Sequence, residues 1–102
     1  MHTDDARARF RSLHEHGTFL MPNPFDLGSA RLLADLGFRA LATTSGGFAA
    51  SRGRADMTCG RDELLEHVAV LSSATDLPIS VDAERCFPGT GGRGRRRSAH
   101  IA

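Results

Sequence analysis

At 102 residues, with 40% hydrophobic and 25% charged side chains, the chain has room for one modest core but not for a complete eight-stranded α/β barrel, which takes about 250 residues. No apolar run approaches the roughly 20 residues of a membrane span, and the polar N-terminus is no secretory signal, so the expected compartment is the cytoplasm. The net charge of +1 hides an asymmetry: residues 1–88 carry nine Arg and all twelve acids, a balance of −3, whereas residues 89–102 carry four Arg and no acid, a balance of +4.

Taken in order, His2 to His16 reads as a helix, with Asp4 and Asp5 favouring its N-terminal dipole, Phe10 and Leu13 forming a thin apolar stripe, and Gly17 ending it. Thr18-Phe19-Leu20-Met21 is a short apolar run cut by Pro22, as expected of a buried first strand. Pro22 to Asp26 must be irregular, because each proline removes a donor and restricts its predecessor. A helix then opens around Asp26 or Ser29, carries Leu27, Ala30, Leu33, Ala34 and Leu36 at helical spacing with Arg31 and Asp35 outside, and closes at Gly37 in a Schellman motif. Arg39 to Thr43 follows as a second strand, so strand, helix and strand form a right-handed parallel unit.

Thr44-Ser45-Gly46-Gly47 sits at the end of that strand, ahead of a helix predicted to start at Phe48. The string supports two readings: backbone N–H groups forming a nest for a carboxylate or phosphonate, or a plain βα turn. A loop through Asp56 to Gly60 leads into a helix from Arg61 to Thr75, with Leu64, Leu65, Val68, Leu71 and Ala74 as its apolar face and His67 expected in solvent beside Glu63 and Glu66. Cys59 and Cys86 lack any paired ligand spacing and are expected as free thiols.

The third strand, Leu77-Pro78-Ile79-Ser80-Val81-Asp82-Ala83-Glu84, ends in two acids two residues apart. Strand alternation sends both to one side at the carboxyl end, where α/β proteins keep chemistry. Converging carboxylates there suit Mg2+, or Mn2+ in its place; the other reading is a solvated strand end.

Four blocks in this order, Met21 to Arg31, Ala42 to Ser51, Asp62 to His67 and Leu77 to Glu84, are similar to the isocitrate lyase/phosphoenolpyruvate mutase superfamily, in its carboxyphosphonoenolpyruvate phosphonomutase and 2-methylisocitrate lyase branch. The resemblance spans about residues 17–87. It implies an α/β fold in which residues 1–88 are the N-terminal portion, about three βα units, of a (β/α)8 TIM barrel with parallel strands. It also implies Mg2+ and an α-oxo acid or related carboxylate substrate, cleaved at a C–C or P–C bond through an enolate. Position by position, Ser45, Gly46 and Gly47 would hold the substrate carboxylate. Asp82 would ligate the metal, Glu84 would support its shell, and Asp56 would order the metal waters and the reacting group.

The likeness breaks after Glu84. The family continues with a small residue or Asn, then Gly, an aromatic and Gly, where this chain has Arg85-Cys86-Phe87-Pro88. The family's gating loop and further substrate residues would lie beyond the third strand. Residues 89–102 instead form an Arg/Gly-rich stretch without periodicity, expected to be disordered and to come from truncated or frameshifted coding sequence. The expected outcome is a fragment with slow or absent turnover that associates with itself through an uncovered sheet edge. The alternative is a non-enzymatic fragment whose basic tail binds nucleic acid; the tail has no aromatic residue for stacking, which disfavours it.

Overall fold

A computed structural model describes residues 3–88; the expectations placed on residues 89–102 lie outside that range. The described elements are α1 (Thr3–Leu13), α2 (Leu27–Asp35), β1 (Leu41–Ala42), α3 (Ser45–Ser51), α4 (Arg61–Ala74) and β2 (Ile79–Ser80). β1 and β2 pair in parallel, Leu41 opposite Ile79 and Ala42 opposite Ser80. This is a small α/β arrangement, and the βαβ handedness argument places its helices between paired strands.

Local chemistry explains the helix boundaries. Asp26 caps α2, its Oδ1 accepting the Ser29 N–H at 2.8 Å while the Ser29 hydroxyl accepts the Asp26 N–H at 3.1 Å. Both residues proposed as the cap are therefore used, in one reciprocal box. At the other end Gly37, at φ +99°, lets its N–H reach the Ala34 carbonyl, a conformation that costs glycine nothing.

The core packs α2 and α4 against each other and against the sheet. Ala30, Leu41 and Leu71 are fully buried, with Leu33, Ala74, Leu77 and Ile79 against them. A second cluster, Phe48, Ala49 and Cys59, packs under α3. On the other side of the molecule Phe10, His14 and Phe19 meet edge to face, with Phe10 and His14 centroids 4.7 Å apart. An Arg9 guanidinium donates to the Asp76 carbonyl and ties α1 to the start of the β2 segment.

Three sequence expectations are corrected. Thr18–Met21 is not a strand. This stretch reaches β1 through Pro22, whose carbonyl accepts the Ala42 N–H at 3.0 Å, and through Asn23, whose amide donates to the Ala42 carbonyl at 2.9 Å. Pro22 and Pro24 have no N–H to return, so a two-way ladder cannot build there. Second, β2 stops at Ser80, and Glu84 has φ +56°; strand alternation therefore does not run through Asp82 and Glu84. Third, His67 is buried, with 6% of its surface exposed. It lies three residues after Leu64 and four before Leu71, both buried, which puts it on the inward stripe of α4.

Candidate functional site

Thr44 opens α3. Its Oγ1 accepts the Gly47 N–H at 3.0 Å, so the helix begins at Ser45 and not at Phe48, because a threonine in extended backbone is itself an adequate cap. Ser45, Gly46 and Gly47 thus form the first turn of a helix and not a free glycine nest ahead of it. A Cβ at Gly47 would lie 2.5 Å from the Thr44 methyl, so the capping geometry itself requires glycine there. Since the Gly47 N–H is taken by the cap, a bound anion would be met by Ser45 and Gly46.

Gly46 faces Asp56. A Cβ at Gly46 would stand 3.4 Å from Asp56 Oδ2, an ordinary van der Waals contact, so the carboxylate rests directly against this turn. Asp56 Oδ1 also accepts the Met57 N–H at 2.8 Å, and Met57 has φ +68°. The loop carrying Asp56 is pinned at its start by Arg54, whose N–H donates to the Ala49 carbonyl at 2.9 Å.

Asp82 and Glu84 follow β2. The hydroxyl of buried Thr43 accepts the Asp82 N–H at 2.8 Å, and Asp82 Oδ1 accepts the Glu84 N–H at 3.0 Å. Burial pushes the Glu84 carboxyl above its usual value, the Asp56 and Asp82 carboxylates push it further, and Arg85 relieves part of this. The charges of Asp56 and Asp82 therefore both reach Glu84, although strand alternation is not what brings them near it. Among the described residues no set of three or more His, Cys, Asp or Glu forms a ready metal cage. The donor set, carboxylate oxygens with a net repulsion to relieve, is nevertheless of the chemistry that Mg2+ takes, usually with several waters retained.

Two clefts lie elsewhere and include none of these residues. One, of about 300 Å³, runs between α3 and α4 and is lined by Phe48, Arg52, Glu63, Glu66, His67 and Val70 among others. In it the His67 ring stacks on Phe48 at 3.9 Å, its Nε2 is buried without a hydrogen-bond partner among the described residues, and burial pushes its pKa below the ordinary 6.5. Sequence reasoning missed this histidine; its spacing from Leu64 and Leu71 was the available signal. The second cleft, of about 580 Å³, separates α1 from the β2 segment. Among the described residues no helix is long and apolar enough to cross a membrane.

The sequence model of the phosphoenolpyruvate phosphomutase family matches residues 10–96. The structure of a lyase/mutase candidate from Burkholderia cenocepacia J2315 superposes with a TM-score of 0.85 at 44% identity, over 95% of this chain and 36% of its own. A phosphonomutase candidate from the same organism gives 0.74 at 40% identity, over 83% of this chain and 34% of its own. A 2,3-dimethylmalate lyase, itself a member of the phosphoenolpyruvate mutase/isocitrate lyase superfamily, gives 0.70 at 27% identity, over 84% of this chain and 31% of its own. The chain thus spans about a third of the length of these structures. No curated protein matches it.

Proposed function

The chain belongs to the phosphoenolpyruvate phosphomutase family, and from that premise we propose that it supplies the first three βα units of a (β/α)8 barrel whose rim binds Mg2+ and an α-oxo acid or related carboxylate for C–C or P–C bond cleavage through an enolate. Residues 1–88 form that unit in this reading. What supports it is Asp56 lying against Gly46, Asp82 accepting the Glu84 N–H, and the Asp56 and Asp82 charges both raising the Glu84 carboxyl. Such a gathering of carboxylates costs stability unless something positive joins it.

Within the proposal each residue has a task. Ser45 and Gly46 receive the substrate carboxylate, with Gly47 shaping the turn for them. Asp82 and Glu84 hold Mg2+ through oxygen ligands and waters, Asp82 being fixed by Thr43. Asp56 orients the reacting group from across Gly46. When bound, Mg2+ supplies a positive charge to stabilise an enolate oxygen. Self-association belongs to the same proposal, since the described sheet has two strands, both of them edges, and sheet edges invite pairing.

Calorimetric titration with oxalate, a stable dicarboxylate of the proposed class, tests the reading. Oxalate should bind only in the presence of Mg2+, and Asp82→Asn should abolish the heat without lowering the melting temperature. Absence of any Mg2+-dependent binding overturns it.

A further inference from the structure

One side chain holds both ends of the loop that presents Asp56. Glu63, in the first turn of α4, accepts from the Arg54 guanidinium through both carboxylate oxygens, Nη1 lying 3.2 Å from Oε1 and Nη2 meeting Oε2. The same Oε1 accepts the Gly60 N–H at 3.1 Å, and Arg52 Nε lies 3.9 Å from Oε2. Arg54 begins the loop and Gly60 ends it. The Arg54 N–H on the Ala49 carbonyl and the burial of Cys59 against Phe48 and Ala49 also anchor the loop near its ends, but residues 54–58 between them are exposed, and Met57 occupies left-handed backbone that a side chain ordinarily avoids. Local contacts such as the Thr58 hydroxyl on the Ala55 carbonyl shape the loop but do not fasten it to the rest of the fold.

We propose that Glu63 is a positioning residue, a clasp that closes the loop 54–60 and thereby sets the Asp56 carboxylate against Gly46. The consequence for ligand binding rests on the proposed role of Asp56; the clasp itself does not. A planar guanidinium meeting both carboxylate oxygens fixes direction as well as distance, and the Gly60 N–H on the same carboxylate couples the two loop ends. Glu63→Gln keeps the acceptor for Gly60 and loses the charge that orients Arg54. Glu63→Ala loses both. Arg54→Lys keeps the charge and loses the fork.

Amide hydrogen exchange on the full chain, without ligand, reads the clasp directly. Exchange across residues 54–60 should rise in the order wild type, Arg54→Lys, Glu63→Gln, Glu63→Ala, by at least about threefold for the last, while the amides of Leu64 to Leu71 keep their wild-type protection. Loop exchange unchanged in Glu63→Ala, or loop and α4 rising in parallel, overturns the clasp. In the presence of Mg2+ and oxalate, Glu63→Ala should weaken binding in the same direction as Asp56→Asn. If Asp56→Asn has no effect on binding, the site reading fails and the exchange result still decides the clasp. If Asp56→Asn weakens binding and Glu63→Ala does not, positioning is overturned.

Discussion

Gly46 and Gly47 are adjacent in the first turn of α3, and replacing each by alanine should move stability in opposite directions. Helix propensity alone favours both replacements, by up to about 1 kcal/mol each. Packing separates them. A Cβ at position 46 meets its nearest neighbour, an Asp56 oxygen, at 3.4 Å, an ordinary contact. A Cβ at position 47 meets the Thr44 methyl at 2.5 Å and the Thr44 hydroxyl at 3.2 Å, and the first distance is untenable. Relief requires Thr44 to rotate, which forfeits a cap of about 1 kcal/mol, or the backbone to shift, at about 1–3 kcal/mol. After a propensity gain of about 1 kcal/mol is subtracted, Gly47→Ala should destabilise by about 0–2 kcal/mol, a fall of up to about 10 °C in melting temperature for a domain of this size. Gly46→Ala should leave the melting temperature level or a few degrees higher. Because the offending atom is the threonine methyl, Thr44→Ser removes it and keeps the capping oxygen, and the double variant Thr44→Ser with Gly47→Ala should recover about 1 kcal/mol over Gly47→Ala alone. Thermal and urea unfolding of the four variants supply the cycle. Equal effects at positions 46 and 47, or no recovery in the double variant, would refute the steric argument.

Three further outcomes follow from other residues. Cys86 has φ +63° where the family pattern has glycine; Cys86→Gly should stabilise by about 0.5–1 kcal/mol, the relief of a left-handed side chain less the entropy glycine gives back to the unfolded chain, read by urea midpoint. The buried His67 binds its proton less readily folded than unfolded, so folding stability is full above pH 6.5 and declines as pH falls below it; His67→Phe should flatten that slope in denaturation measured from pH 7.5 to 5. The Glu63 carboxyl, held by Arg54 first and the Gly60 N–H second, titrates at about 2 instead of 4.5. Its contribution to loop closure is therefore present above pH 4.5 and lost as pH falls toward 2. Carboxyl NMR in Arg54→Ala should find the midpoint moved back up, and an unchanged midpoint would sink that assignment.

Helices were legible from the sequence where their signals are local. Asp26, Ser29 and Gly37 carry the start and stop of α2 in their own side chains or lack of one, and the stripe from Leu64 to Leu71 carries α4. Strands were less legible because a strand exists only through its neighbour: Thr18 to Met21 has the composition, yet the prolines beyond it supply no donor and the ladder does not form. His67 was misjudged because its charge-rich neighbours, Glu63 and Glu66, outweighed its spacing. At the rim, the proximity of Asp56 to Gly46 was carried by the family resemblance and not by any periodicity, since a loop's path depends on what fastens it. The acids after β2 meet through a side-chain turn at Asp82 and a left-handed Glu84, geometry that alternation does not encode.

The sheet also sets an order of events. Its described ladder joins Leu41 to Ile79, so closure of that long intervening stretch must precede any reward from pairing. During synthesis the short α2 and α3 are marginal until they pack, and β1 waits for residues made almost forty positions later. Until then its apolar face is bare to whatever else is in the cell, and chaperone dependence, more than final stability, should govern how much soluble protein is recovered.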